Sequence, residues 1–190
     1  MITSVIAAII LAGGESRRMG SPKLMLEHRG KTLLSGAIHK AQAVASEVIV
    51  VVGAYTELYS KEVERAGARV VLNSEWPEGL ASSVRVGVAS LSEETSAALI
   101  ILADQPFVPQ DHLQALVDKG NESGAALVFS SYEGIRGAPT LISATLFPQV
   151  ATLKGNRGLQ ALSKEVEATA ELELTEFFDI DTPEDAQRLG

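Results

Sequence analysis

The 190-residue chain contains no cysteine, so it makes no disulfide and holds no metal through thiolates, and a reducing compartment suits it. It is short of positive charge: 16 Lys and Arg stand against 24 Asp and Glu, for a formal net charge of -8. That balance argues against general affinity for DNA, RNA or anionic membranes, while a local basic patch can still bind an anion. The apolar run near the N-terminus, residues 5–12, is too short to span a bilayer and follows no basic segment of the kind that opens a signal peptide. The expected location is the cytoplasm, with neither nucleic acid nor membrane as partner. Two common phosphate loops are missing as well: GxxxxGK followed by Ser or Thr, and GxGxxG. There is no internal repeat, low-complexity tract or linker, and the length fits one domain, residues 1–190, with a sizeable core.

What is present is an alternation of short apolar runs and helical patterns. Residues 5–11 (VIAAIIL), 47–53 (EVIVVVG), 69–73 (RVVLN), 97–104 (AALIILAD) and 125–130 (AALVFS) read as strands. The continuously apolar ones suit strands buried on both faces. Leu33, Leu34, Ala37, Ile38, Ala41 and Val44 recur at helical spacing, and residues 55–66, 80–91 and the segment after Pro109 read as further helices. This βα alternation implies an α/β fold: a Rossmann-like three-layer α/β/α arrangement with a mostly parallel sheet. The second half is less regular, with a strand expected over 134–142 and short helices over 143–151 and 157–165. The tail, 171–189, reads as extended chain, a turn at Thr182-Pro183 and a terminal helix capped by Asp181 or Thr182.

In open α/β sheets ligands bind at the carboxyl ends of strands, which draws attention to 11-LAGGESRRMGSPKL-24. Gly13 and Gly14 allow a sharp turn and close backbone approach, and exposed amides in such a turn attract anions. Arg17, Arg18 and Lys23 add three cations to the same loop of an acidic chain, a combination suited to a polyphosphate. Asp104 ends a strand at the same sheet edge, where a carboxylate can either hold Mg²⁺ or cap the turn Asp-Gln-Pro. In 179-DID-181, alternate positions of an extended chain point the same way, so Asp179 and Asp181 can share one site, or Asp181 can cap the last helix. In 73-NSEWPEGLASSVRVG-87, Asn73 ends a strand, and Gly79, Ser82 and Ser83 open a helix whose amides and hydroxyls can read a base or a phosphate. The plain alternative there is a capped helix start, with the lone Trp76 as a packing anchor.

With these pieces assembled, the chain resembles the MobA-like nucleotidyltransferases, most of all the molybdenum cofactor cytidylyltransferase branch. The matching stretches are 11-LAGGESRRMGSPKL-24, 73-NSEWPEGLASSVRVGV-88, 101-ILADQPFV-108, 137-GAPTL-141 and 179-DIDTPED-185, in family order across nearly the whole chain. The resemblance implies an Mg²⁺-dependent reaction in which an acceptor phosphate attacks the α-phosphorus of CTP or GTP and pyrophosphate leaves. The implied acceptor is a phosphorylated, molybdenum-loaded pterin, and the implied partners extend to a molybdoenzyme that receives the cofactor. By position, Leu11, Ala12, Gly13, Gly14 and Arg18 fall to the triphosphate, and Lys23 to charge developing at the α-phosphate. Asp104 falls to the metal with Asp179 favoured over Asp181 as second ligand, and Asn73, Gly79, Ser82 and Ser83 to the base or the pterin. Such a transfer needs alignment and charge stabilisation more than a covalent nucleophile. His28, His39 and His112 are then bystanders.

Three positions depart from the cytidylyl pattern. LAGG, with Gly13, follows the guanylyl form where cytidylyl members read LAAG, while Pro22-Lys23-Leu24 follows the cytidylyl form, so the base is open between CTP and GTP. The G-H-P and G-D-x-G elements read 137-GAP-139 and 155-GNRG-158, with Ala138 and Asn156 in place of His and Asp. These changes bear on acceptor recognition and keep two alternatives in play: another small phosphate acceptor, such as a sugar phosphate or methylerythritol phosphate, and a non-catalytic nucleotide-binding accessory protein. A dinucleotide-dependent oxidoreductase fits the fold but not the loop, and Val52-Gly53 stands where an acidic residue would end the second strand.

Overall fold

The protein is described by a computed structural model over residues 5–156, 158–164, 166, 168–176 and 178–189. The ends of the helix read over 157–165, and residue 177 of the tail, lie outside the described residues. The N-terminal half runs β1 (Val5–Ala12), a small hairpin of β2 (Glu27–His28) and β3 (Lys31–Thr32), α1 (Leu33–Gln42), β4 (Glu47–Val52), α2 (Thr56–Arg65), β5 (Arg69–Leu72) and α3 (Leu80–Ala89). The rest comprises β6 (Thr95–Leu102), α4 (Gln110–Ser123), β7 (Leu127–Tyr132), β8 (Ile135–Ser143), α5 (Phe147–Val150), β9 (Thr169–Glu173) and α6 (Pro183–Ala186). Among the described residues, no helix is long and apolar enough to cross a membrane.

Seven strands form one sheet in the order β5-β4-β1-β6-β8-β7-β9. β1 lies at its centre, parallel to β4 and β6, and its side chains divide by the two-residue period of a strand. Ala8, Ile10 and Ala12 pack with Leu34 and Ile38 of α1, Val63 of α2 and Leu113 of α4. Ile9 and Leu11 pack on the other face with Ala81 and Val84 of α3 and with Val150 and Leu159. The unbroken apolar run therefore reflects helices on both faces. The expected three layers and mostly parallel sheet are present.

The exception is β8, which enters antiparallel between β6 and β7. Its hairpin with β7 turns at Glu133 and Gly134, both at positive φ (47° and 80°), the geometry that suits the twist of paired strands. The helix boundaries follow local chemistry. Thr32 caps α1 by accepting from the Ser35 amide and also donates to Glu62 Oε1, tying α1 to α2. Thr182, not Asp181, caps α6, in a reciprocal box with Asp185. The tail is anchored by Ile180 and Leu189 packed on Leu33, and by His28 Nδ1 at 2.9 Å from the Leu189 carbonyl oxygen.

His112 of α4 is buried with its Nε2 2.8 Å from Ser130 Oγ, and Ser130 donates to the Pro139 carbonyl. Burial holds its pKa below the ordinary imidazole range. As pH falls through that range the unfolded chain takes up a proton that the folded chain refuses, so stability is lost on acidification. Urea unfolding is expected to show this loss below the ordinary histidine pKa, with a shallower slope in His112→Gln; an equal slope in both proteins would contradict the account.

Candidate functional site

The carboxyl ends of β1 and β6 open onto a cleft of about 560 Å³. The glycine loop forms one wall. Residues 13–22 carry no regular structure, and the amides of Met19 and Gly20 both donate to the Ser16 carbonyl, turning the chain back toward Lys23. The Ala54 amide donates to the Gly13 carbonyl and Tyr55 Oη to the Glu15 carbonyl, so the start of the loop is held from the end of β4.

Close packing explains the glycines. A Cβ on Gly13 would lie 3.0 Å from Ser83 Oγ. A Cβ on Gly53, which the sequence offered only as the end of a strand, would lie 2.6 Å from the Gly13 carbonyl oxygen and 2.7 Å from Trp76 Cβ. Gly53 thus lets the glycine loop and Trp76 meet, and its position before a helix was the only signal of that role.

Lys23 is the centre of the charged cluster. Its Nζ donates to Asp104 Oδ2 at 2.5 Å and to Asp181 Oδ1 at 2.8 Å, and Arg18 Nη2 donates to Asp181 Oδ2 at 2.7 Å. Burial pulls the Lys23 pKa down, but the two carboxylates outweigh it and the net shift is upward, so the ammonium stays charged. Arg17 turns outward onto Glu15. Carboxylates thus occupy the donors of Arg18 and Lys23 that suit phosphate oxygens.

The two tail aspartates separate. Asp181 joins Lys23, whereas Asp179 accepts from Gln105 Nε2 at 2.8 Å and lines an adjoining cavity of about 640 Å³. That cavity includes Ala138, and Leu11, Leu80, Leu102 and Asn156 border both spaces. Residues 178–182 belong to no strand, so the alternation expected of extended chain does not bring both carboxylates to one point. The Ile180 amide instead donates to the Asp104 carbonyl, clipping the tail across the end of β6.

The residues at the start of α3 divide too. Asn73 is buried, its Nδ2 donating to Ser82 Oγ and Ser83 Oγ and its Oδ1 accepting from the Glu75 amide. Ser82 is buried and donates to the Gly79 carbonyl. Both support the wall rather than line the cleft, while Gly79, Leu80 and Ser83 do line it. The amides expected to be free are engaged: Leu80 donates to Asn156 Oδ1 and Ala81 to the Gly155 carbonyl. Gly79, at φ 117°, has no room for a side chain beneath that loop.

Asp104 Oδ1 is buried without a hydrogen-bond partner, a free hard-oxygen donor of the kind Mg²⁺ prefers. Among the described residues no group of three His, Cys, Asp or Glu side chains closes a metal site. Magnesium sites commonly use one or two carboxylates and fill the rest with phosphate and water, so the residues present fit that ion.

Two outcomes follow from this geometry. Gly53→Ala is expected to push Gly13 and weaken nucleotide binding by about tenfold or more, read from the fluorescence of Trp76, the single tryptophan; unchanged affinity would refute the packing role. Burial, then repulsion from Asp104 and Asp181, pushes the Asp179 carboxyl up despite the Gln105 hydrogen bond. The unfolded chain therefore ionises first as pH rises, and stability falls above the ordinary carboxylate range. Asp179→Asn keeps the acceptor for Gln105, so it should gain stability at neutral pH and not in acid. Denaturation at both pH values checks this, and an equal gain at each would contradict it.

Comparisons with known proteins place the chain in a family. Residues 8–171 match the family described as the MobA-like NTP transferase domain. The purine catabolism protein PucB of Bacillus subtilis (strain 168) is 35% identical over 202 residues, covering 97% of this chain and 96% of that protein. The molybdenum cofactor cytidylyltransferase of Escherichia coli (strain K12) is 30% identical over 185 residues, covering 96% and 94%. The crystal structure of Rv0371C from Mycobacterium tuberculosis H37Rv, in complex with manganese, superposes with a TM-score of 0.81 at 26% identity, covering 98% of both chains. The chain belongs to the MobA-like NTP transferase family and is a nucleotidyltransferase.

Proposed function

We propose that the protein transfers CMP or GMP from CTP or GTP to the phosphate of molybdopterin or its molybdenum-loaded form. The observation that carries this reading is the Arg18–Lys23–Asp104–Asp181 cluster, which lines the glycine-loop cleft, a space that shares Leu11, Leu80, Leu102 and Asn156 with the cavity beside Ala138. The triphosphate lies along residues 11–18, with Arg18 and Lys23 exchanging the Asp181 carboxylate for phosphate oxygens. The acceptor occupies the adjoining cavity, whose Leu80, Phe129 and Leu159 walls suit a flat ring body and whose Asp179 and Gln105 offer polar contacts. An acceptor phosphate oxygen attacks the α-phosphorus from that side. One P–O bond forms, the bond to the bridging oxygen breaks, and pyrophosphate leaves with the electron pair.

The attacking group is already an anion, so no general base is needed, and the protein contributes alignment and charge. Lys23 is the fixed cation at the reacting phosphate. Asp104, with Asp179 or Asp181, holds Mg²⁺, which supplies charge neutralisation on the phosphate oxygens when bound. Ser83 and Gly79 line the nucleotide side of the cleft, with Asn73 and Ser82 supporting them from behind.

Pyrophosphate release, measured with Mg²⁺, each of the four nucleoside triphosphates and molybdenum-loaded pterin phosphate, tests the reading. Release with CTP or GTP alone is expected, and Lys23→Ala should lower kcat by about 10²–10³ with the fold retained. Release that needs no pterin, or a Lys23→Ala rate equal to the parent's, would overturn it.

A further inference from the structure

A separate cavity of about 770 Å³ lies on the α1 and α4 side of the sheet, between α1 and the segment 105–111. Part of its wall is apolar, from Leu33, Ile101 and Leu113. The polar remainder carries three cations, Arg29 and Lys31 from the β2–β3 hairpin and Lys40 from α1, against two carboxylates, Asp111 and Glu176. In a chain of net charge -8 this is a local excess of positive charge. Among the described residues none of the three is ion-paired; every salt bridge uses another Lys or Arg. Neither Asp111 nor Glu176 pairs with these cations.

Lys40 shows the imbalance most plainly. Its Nζ donates to the carbonyls of Pro106 at 2.6 Å and Val108 at 2.7 Å, both uncharged partners. Burial, and then the nearby Arg29 guanidinium, press its pKa down. A half-buried ammonium facing only carbonyls and another cation gains from an anion placed beside it. Gly36, in the middle of α1, lines the same space, and a Cβ there would meet nothing within 4 Å. Glycine is a poor helix residue and packing gives no reason for it here; its effect is to keep the helix surface open to the cavity.

We propose that this cavity is a second ligand site, distinct from the nucleotide cleft, for a small polyanion bearing phosphate or carboxylate groups. Arg29 and Lys31 receive the charge, Lys40 supplies its remaining N–H, and the apolar wall takes the carbon body of an organic ligand. The site is mechanically linked to the cleft. Lys40 grips the carbonyls of the segment that directly follows Asp104 and Gln105, and Gln105 lines both this cavity and the one beside Ala138. An occupant that draws the Lys40 ammonium toward itself therefore acts on the segment next to the cleft's carboxylate.

The test is calorimetric titration of the full chain carrying Lys23→Ala, which removes the central cation of the nucleotide cleft and no residue that lines this cavity. Pyrophosphate and citrate are titrated separately, one standing for a phosphate source and the other for a carboxylate source. Binding of one molecule per chain is expected with at least one probe, and the probe that binds names the source. Adding Arg29→Ala and Lys31→Ala should weaken that binding by about tenfold or more, with an unchanged melting curve showing the fold intact. No binding of either probe, or an affinity the added substitutions leave intact, would overturn the proposal.

Discussion

The Lys23 ammonium is the point on which the site depends, because three distant parts of the chain meet there. The loop after β1 supplies the lysine, the end of β6 supplies Asp104, and the C-terminal tail supplies Asp181. A largely buried cation is tolerated only when carboxylates or phosphates surround it. Two carboxylates do so here, and the ammonium keeps its charge against the cost of burial. The same requirement prepares the site for a ligand, since whatever displaces a carboxylate from Lys23 must itself carry negative charge. A polyphosphate satisfies that condition better than a neutral molecule.

The rest of the architecture serves to hold this meeting point. β1 and β6 are parallel neighbours at the centre of the sheet, so their carboxyl ends leave Lys23 and Asp104 on the same edge. The tail has no strand to fix it there and relies on a small apolar cluster, Leu33, Ile180 and Leu189, with Phe107 and Phe178 packed against it. Arg188 stacks over the Phe178 ring and His28 contacts the Leu189 carbonyl oxygen, so the tail is clamped on both sides of Asp181. Behind the cleft, Asn73 spends its amide on the hydroxyls of Ser82 and Ser83, fixing the start of α3 against the end of β5. That wall is what Gly13 approaches closely.

Membership of the family sets the class of reaction; the walls of the two joined cavities bear on what is transferred and to what. Ala138 and Asn156 sit on those walls, Asn156 between both spaces, where a side chain can touch an occupant of either. Gly13 faces Ser83 rather than open space. A methyl group at residue 13 would therefore act on the α3 wall first, and through it on any base lying there.

The apolar runs were legible as strands because burial on both faces demands unbroken hydrophobic sequence, and the helices because their inner faces repeat every three to four residues. The glycine loop, Lys23 and Asp104 were legible for a similar reason: their residue types have few other uses at the ends of buried strands. The reversal of β8 was not, since Glu133-Gly134 is a weaker turn signal than Asn-Gly or Asp-Gly, and strand direction depends on which neighbour is free. Nor was the parting of Asp179 from Asp181, because local alternation holds only within a strand and the Ile180 amide is bonded across to Asp104 instead. Asn73 and Ser82 carry ligand-type groups, yet their partners are each other. Sequence by itself determined which elements form and where charge collects, because those follow from local pattern. Tertiary structure decided which polar groups remain free for a ligand, because that depends on contacts between residues far apart in the chain.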